Sequence, residues 1–307
     1  MDVLRRFLLA AAVVVAAPAS TLAQAFTVPR HVGAVTLGWQ YIDNTGHRLS
    51  DGYYRASGES VSQSALVEFD YGITQRLSAS VGVPYVFAKY TGAQPPPSGL
   101  PVDKCACWHS SFADFSFGAR YRFGNDTWAV TPLVRYGHPS HDYPYQGEAV
   151  VGRNLNELQL GLAAGLRLTG FLSRATVQTT YAYSFVESPL EDISIDKSTL
   201  ALDLGYALSR RFYLRAFGAG VYTHGGLQAG SPTGNPFFFP GELAPIGGER
   251  WVQRDRLLAV KYWQVGGGLS YSLGPFDLFA SFSKYVWGRD AHNGQSFNLG
   301  TTWYFER

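Results

Sequence analysis

The sequence predicts an all-β protein: one transmembrane, antiparallel, up-and-down β-barrel of about twelve strands. Three observations point there. Apolar and polar residues alternate through segment after segment, the period of a strand whose side chains point to opposite faces. The links between those segments alternate between short and long. Charged residues are sparse at 16%, aromatics are abundant at 15%, and there are 34 glycines.

The clearest unit is a hairpin from Leu66 to Phe87. Ala65, Val67, Phe69 and Tyr71 form one apolar file, with Glu68 and Asp70 between them. After the turn Gly72-Ile73-Thr74-Gln75, Leu77, Ala79, Val81, Val83, Tyr85 and Phe87 form a second file, with Ser78, Ser80 and Gly82 between. Before it, 32–43 sets Val35, Leu37, Trp39 and Tyr41 against Thr36, Gly38 and Gln40.

After it come nine more segments. Segment 111–123 sets Phe115, Phe117, Ala119, Tyr121 and Phe123 against Asp114, Arg120 and Arg122; 127–137 sets Trp128, Val130, Val134 and Tyr136 against Thr131 and Arg135. Segment 155–169 carries a leucine file opposite Glu157 and Arg167, and 174–187 sets Tyr181, Tyr183 and Phe185 against Thr and Ser. Segment 198–208 sets leucines and Tyr206 against Asp203. Segment 211–224 is ambiguous, because both faces carry apolar residues beside Arg215. Segments 256–273, 276–287 (with Asp277 on the polar face) and 295–305 complete the set.

Short links fall around 72–75, 124–126, 169–173, 208–210 and 273–275. Between them lie 44–60, 91–110, 138–154, 188–197, 225–255 and 288–294, all but the last longer. Outer-membrane barrels show this asymmetry, with periplasmic turns and longer extracellular loops. Strands of roughly 9–11 residues suffice to span at a tilt. Aromatics near strand ends, among them Tyr41, Tyr71, Tyr85, Trp128, Tyr136, Trp287 and Trp303, match the two interfacial girdles of such barrels. Tyr71-Gly72-Ile73-Thr74-Gln75-Arg76-Leu77 is echoed by Tyr206-Ala207-Leu208-Ser209-Arg210-Arg211-Phe212, which we read as turn chemistry with Ser or Thr bonding nearby backbone.

Residues 1–23 read as a secretory signal: Arg5 and Arg6, an apolar stretch from Phe7 to Ala17, and Thr21-Leu22-Ala23 before a cut at Gln24. The expected location is the outer membrane of a Gram-negative bacterium, with residues 24–307 as the barrel. Segment Gln24 to His31 is too short for a plug domain, which argues against an energised receptor. A net charge of +2 is no nucleic-acid footprint.

The string Tyr71 to Val86, YGITQRLSASVGVPYV, resembles the hallmark of the barrel family named for the MetA pathway of phenol degradation, a group of outer-membrane transporters. The signal, the length and the strand–loop rhythm over 24–307 agree. The last strand also resembles the outer-membrane assembly signal through Phe297, Leu299, Trp303 and Phe305, although Glu306 and Arg307 follow the aromatic that is usually terminal.

The expected chemistry is that of a lumen. Glu68, Asp70, Asp114, Arg120, Arg122, Arg135, Glu157, Arg167, Asp203, Arg215 and Asp277 share the polar faces. They either pair and rigidify a narrow barrel or line a pore without strong ion preference. In the long loop 225–255, Phe237, Phe238 and Phe239 either pack on neighbouring loops or offer an apolar contact to a solute at the mouth. Cys105 and Cys107, the only cysteines, form a plausible disulfide in an oxidising compartment; a metal there is disfavoured because no fourth ligand lies nearby. His138 and Ser140 resemble in spacing the pair of some outer-membrane lipid hydrolases, but Pro139 breaks the ladder and the usual Ser-Asn is absent. The expected function is passive uptake of a small, hydrophobic or aromatic molecule, without enzyme activity, cofactor or metal. A sealed structural or surface-interaction barrel is the main alternative. The expected partners are outer-membrane lipid, the solute and the outer-membrane assembly machinery.

Overall fold

In the computed structural model the chain closes into a barrel of twelve antiparallel strands with almost no helix. The structure describes residues 25–56, 58–92, 102–103, 106–229, 237–238 and 248–306; the expected signal at 1–23 lies outside them. The strands are β1 (Val32–Arg48), β2 (Glu59–Gly72), β3 (Leu77–Thr91), β4 in two pieces (His109–Phe112 and Asp114–Tyr121), β5 (Trp128–Pro139) and β6 (Glu157–Arg167). They continue as β7 (Ala175–Val186), β8 (Ile195–Ala207), β9 (Phe212–Gly225), β10 (Lys261–Leu273), β11 (Phe276–Arg289) and β12 (Ala291–Glu306). Each pairs with its sequence neighbours. The seam runs from Val32 opposite Glu306 to Arg48 opposite Ala291, so the sheet has no free edge.

The faces follow the alternation. Leu37, Val67, Val81, Leu160, Leu202, Val265, Leu278 and Leu299 are exposed on the outside. Their neighbours Asp70, Ser78, Thr131, Ser184, Asp203 and Asn298 are buried inside. In β9 the ambiguity is resolved: Phe212 and Leu214 are exposed, while Phe217 is buried on the inner side with Ala219. The short turns use hydroxyl chemistry. Thr74 Oγ1 accepts the Arg76 and Leu77 N–H groups (3.1 and 2.9 Å), and Ser209 Oγ accepts those of Arg211 and Phe212 (3.2 and 3.0 Å).

Boundaries differ from the sequence reading in the long-loop half. β1 continues five residues past 43 to Arg48, β12 begins at Ala291 rather than 295, and the expected link 288–294 shrinks to Asp290, at φ 50°. The added stretch Asn44-Thr45-Gly46-His47-Arg48 is polar on both faces, so it carries no alternation to read. A β-bulge between Asn44 and Gly46 also interrupts its parity. In the other direction, β10 starts at Lys261 rather than 256.

The buried apolar clusters lie at the two ends rather than in a central core. Under the long loops, Leu155, Val186, Ile193, Ile195, Leu227 and Leu257 form one, and Val86, Ala113, Tyr143 and Val151 another. At the short-turn end Ala25 packs on Ala129 and Ala163.

The seam needs a small residue at position 300. A Cβ there would lie 2.6 Å from the Leu37 carbonyl and 2.3 Å from the Phe279 ring, whereas one at Gly38 would meet nothing nearer than 3.8 Å. Gly300→Val is expected to destabilise the barrel by about 1–3 kcal/mol and Gly38→Ala by much less. Urea unfolding followed by tryptophan fluorescence checks this; equal midpoints for the two variants would show that the seam is not so constrained.

Candidate functional site

The interior forms three levels. At the short-turn end, the segment before β1 enters the lumen. The Ala25 N–H donates to Gln178 Oε1 (2.9 Å), and Thr131 Oγ1 donates to the Ala25 carbonyl (2.6 Å). Phe26 lies under the Arg167 guanidinium at 4.5 Å. Gly165 leaves room for this contact, since a Cβ there would come within 2.7 Å of the Ala25 Cβ. The segment fills space at this end. Sequence reasoning missed that because Ala25-Phe26 carries no signal of an interior partner.

At mid-height the charges meet in pairs. Arg120 binds Asp70, and the Arg215 Nε donates to Asp203 Oδ2 at 2.9 Å. The Arg135 Nη2 donates to Ser116 Oγ (3.0 Å). Gln40, Asn298 and Ser281 form a polar chain along the inner side of the seam, with Gln40 Nε2 donating to Asn298 Oδ1 at 2.8 Å and Asn298 Nδ2 to Ser281 Oγ at 3.3 Å. A cavity of about 50 Å³ is lined by Glu68, Arg120, Arg135, Gln159, Thr180 and Thr199 among others. It is far below the several hundred Å³ of a small-molecule pocket and is of a size for a few waters at most.

The remaining charges lie toward the rims. Lys197 pairs with Glu157 at 2.6 Å, Tyr143 donates to Asp114, and Tyr304 stands beside Asp277. Arg122 stands at the short-turn rim, 3.7 Å from Asp126, with its Nη2 donating to the Gln75 carbonyl at 3.4 Å. Lys197, absent from the sequence reading, shares the parity of Asp203 and was legible there.

The mouth is laced by loops. Residues 140–156, between β5 and β6, reach across to the wall formed by β1 and β12, where Glu148 Oε2 lies 3.2 Å from His47 Nε2. The Gly147 N–H donates to Asp255 Oδ2 (2.9 Å) and the Glu148 N–H to Asp103 Oδ2 (2.8 Å). Burial pushes both aspartates up to about 6, against the backbone N–H bonds they accept. Arg256 donates to the Arg153 and Asn154 carbonyls, each at 3.0 Å, and stacks on Tyr145 at 3.3 Å.

Other sequence candidates resolve separately. Phe237 and Phe238 form a two-residue strand paired with Gln228–Ala229, and Phe239 lies outside the described residues. Cys107 is disulfide-bonded, and Cys105 lies outside the described residues. His138 and Ser140 do not form a dyad. The His138 Nδ1 bonds Asn156 Oδ1 (2.7 Å), while Ser140 Oγ donates to the Phe112 carbonyl (3.0 Å) and lies 2.8 Å from His141 Nδ1. Pro139 ends the strand between them, which separates the two side chains.

No protein-family model matches the chain, and no curated protein does. Among solved structures it is similar to the COG4313 outer membrane channel from Pseudomonas putida F1, at 11% identity and a TM-score of 0.67, over 92% of this chain and 98% of that one. It is also similar to the translocator domain of the autotransporter NalP from Neisseria meningitidis, at 14% identity and TM-score 0.54, over 99% and 95% of the two chains. The beta domain of the Bordetella autotransporter BrkA gives 14% identity and 0.50, over 90% and 100%. What is shared is the barrel.

The Asp203–Arg215 pair supplies a direct test of the paired interior. Asp203 is 2% exposed, so Asp203→Ala strands a guanidinium inside the barrel. The expected cost is about 3–5 kcal/mol, most of it recovered when Arg215→Leu is added to Asp203→Ala, with Arg215→Leu alone as the fourth corner. A double-mutant cycle by chemical denaturation reads this, and additive losses would mean that the two groups do not depend on each other.

Proposed function

We propose that the chain is an outer-membrane channel of a Gram-negative bacterium, exported by removal of residues 1–23, through which a small solute diffuses passively. One observation carries the reading: the outer face is a belt of exposed Leu, Val, Phe, Tyr and Trp around an interior of paired charges. In water an apolar belt on that scale would drive aggregation. In lipid it is the required surface, and the closed ladder satisfies every strand. Aromatic rings cluster near both ends of the belt, as in Trp303 and Phe305 at 4.9 Å and Tyr85 and Phe112 at 4.9 Å.

The solute class is a hydrophobic or aromatic molecule. Support comes from the family resemblance of Tyr71–Val86 and from the Phe237–Phe239 run in a mouth loop. The mechanism is steric and electrostatic filtering, with both signs of charge along the path. On this reading, the narrow central cavity and the Ala25–Phe26 insertion belong to a resting, constricted state. The same narrowness favours a second reading, a sealed barrel with a structural role.

Planar-bilayer recording of the purified protein separates the two. The channel reading expects small conductance steps with little preference between K⁺ and Cl⁻. It also expects a several-fold larger step in Gly165→Val, whose added methyl groups collide with Ala25. Absence of conductance above background in both proteins would overturn the channel in favour of the sealed barrel.

The lipid-facing assignment has its own test. Leu202 is 47% exposed on the outer face of β8. Leu202→Arg is expected to cost about 2–4 kcal/mol in vesicles if it meets the mid-bilayer. An unchanged urea midpoint would place this position outside the hydrocarbon.

A further inference from the structure

We propose that His47, His292 and Glu148 form a binding site for a divalent transition-metal ion of the zinc class at the barrel mouth. One ligand atom from each lies within 4.8 Å of those of the others. The two imidazole rings face each other across the seam, directly paired in register, with centroids 4.3 Å apart. Glu148 Oε2 already stands 3.2 Å from His47 Nε2. Donors around a tetrahedral zinc with bonds near 2.0 Å are roughly 3.3 Å apart, so a modest contraction completes the set.

The fold builds this arrangement from three separate elements. On β1 the lumen face carries Gln40, Ile42 and Asn44, so strict alternation would point His47 outward. The bulge between Asn44 and Gly46 reverses the parity and brings His47 beside His292 on the inner face. Glu148 arrives from the opposite wall, on a loop fixed independently by its neighbours. Asp103 and Asp255 accept the N–H groups of Glu148 and Gly147. Of the nearby cations, Arg254 is paired with Asp255 at 3.3 Å, while Arg55 sits opposite His47 in the β-ladder. Two imidazoles and one carboxylate suit zinc, nickel or copper, and disfavour magnesium and calcium, which take oxygen. Three protein ligands leave a fourth position for water or a donor atom of a passing solute. The bound ion would join the crossing loop to the seam and close the mouth further.

The test uses the full-length protein in detergent, without a histidine tag, and ZnCl₂ as the probe. Isothermal titration calorimetry is expected to show one tight Zn²⁺ per chain, not competed by excess Mg²⁺. His292→Ala and Glu148→Gln should each weaken it by at least about tenfold, while His138→Ala leaves it unchanged. Should a variant fail to fold, wild-type protein still decides: CoCl₂ should give the visible absorption of tetrahedral cobalt, displaced by ZnCl₂, and Zn²⁺ should slow amide exchange at residues 146–149. No tight site in the wild type, or one untouched by His292→Ala and Glu148→Gln, overturns the proposal. The site does not depend on conductance, so a protein that binds zinc without conducting would overturn the channel reading alone.

Discussion

The pairing of β1 with β12 is the constraint on which everything else depends. Until Val32–Arg48 meets Ala291–Glu306, two long strands present unpaired N–H and C=O groups. In the lipid setting proposed above those groups would find no partner, so an open sheet would not be a viable spanning state. Closure also defines an inside. The polar faces of twelve strands are gathered around one axis, and their charges have to be reconciled there. Arg120 with Asp70, Lys197 with Glu157 and Arg215 with Asp203 are the outcome. Each pair joins strands close in the sheet, so at mid-height, between the apolar clusters of the two ends, the barrel is held by its ladder and by polar contacts.

Small residues make that closure possible. Gly300 sits under the Phe279 ring at the seam, and Gly165 leaves space for Ala25 within the wall. These positions explain part of the glycine abundance better than turn requirements do. Along a narrow cylinder, inward side chains crowd one another, and glycine is how the wall yields room to a bulky neighbour.

The barrel itself is legible in the sequence because an apolar exterior around a polar interior imposes a strict rule. Wherever the outside is apolar, as at Leu158, Leu160 and Leu162, parity alone assigns both faces. That rule lapses above the belt. Asn44 to Arg48 is strand with polar groups on either side, and its bulge hides the direction of His47. Glu148 gives no sign in sequence that it crosses to the far wall, since that contact depends on loop packing among residues about a hundred positions apart. The short insertion at Ala25 is likewise unreadable, being specified by the small residues Ala129, Ala163 and Gly165 it packs on rather than by its own composition.

The crossing loop has a mechanical meaning. A thin-walled tube fails most easily by flattening, and its rim is the weakest section. Residues 140–156 span that rim from β5 and β6 to the β1–β12 seam, tied at Glu148 and His47 and braced by Asp103 and Asp255. They act as a strut across the diameter. On the channel reading proposed above, admitting a bulky solute would mean releasing the strut and softening the cross-section together, which would make permeability and rim stiffness one property of the molecule.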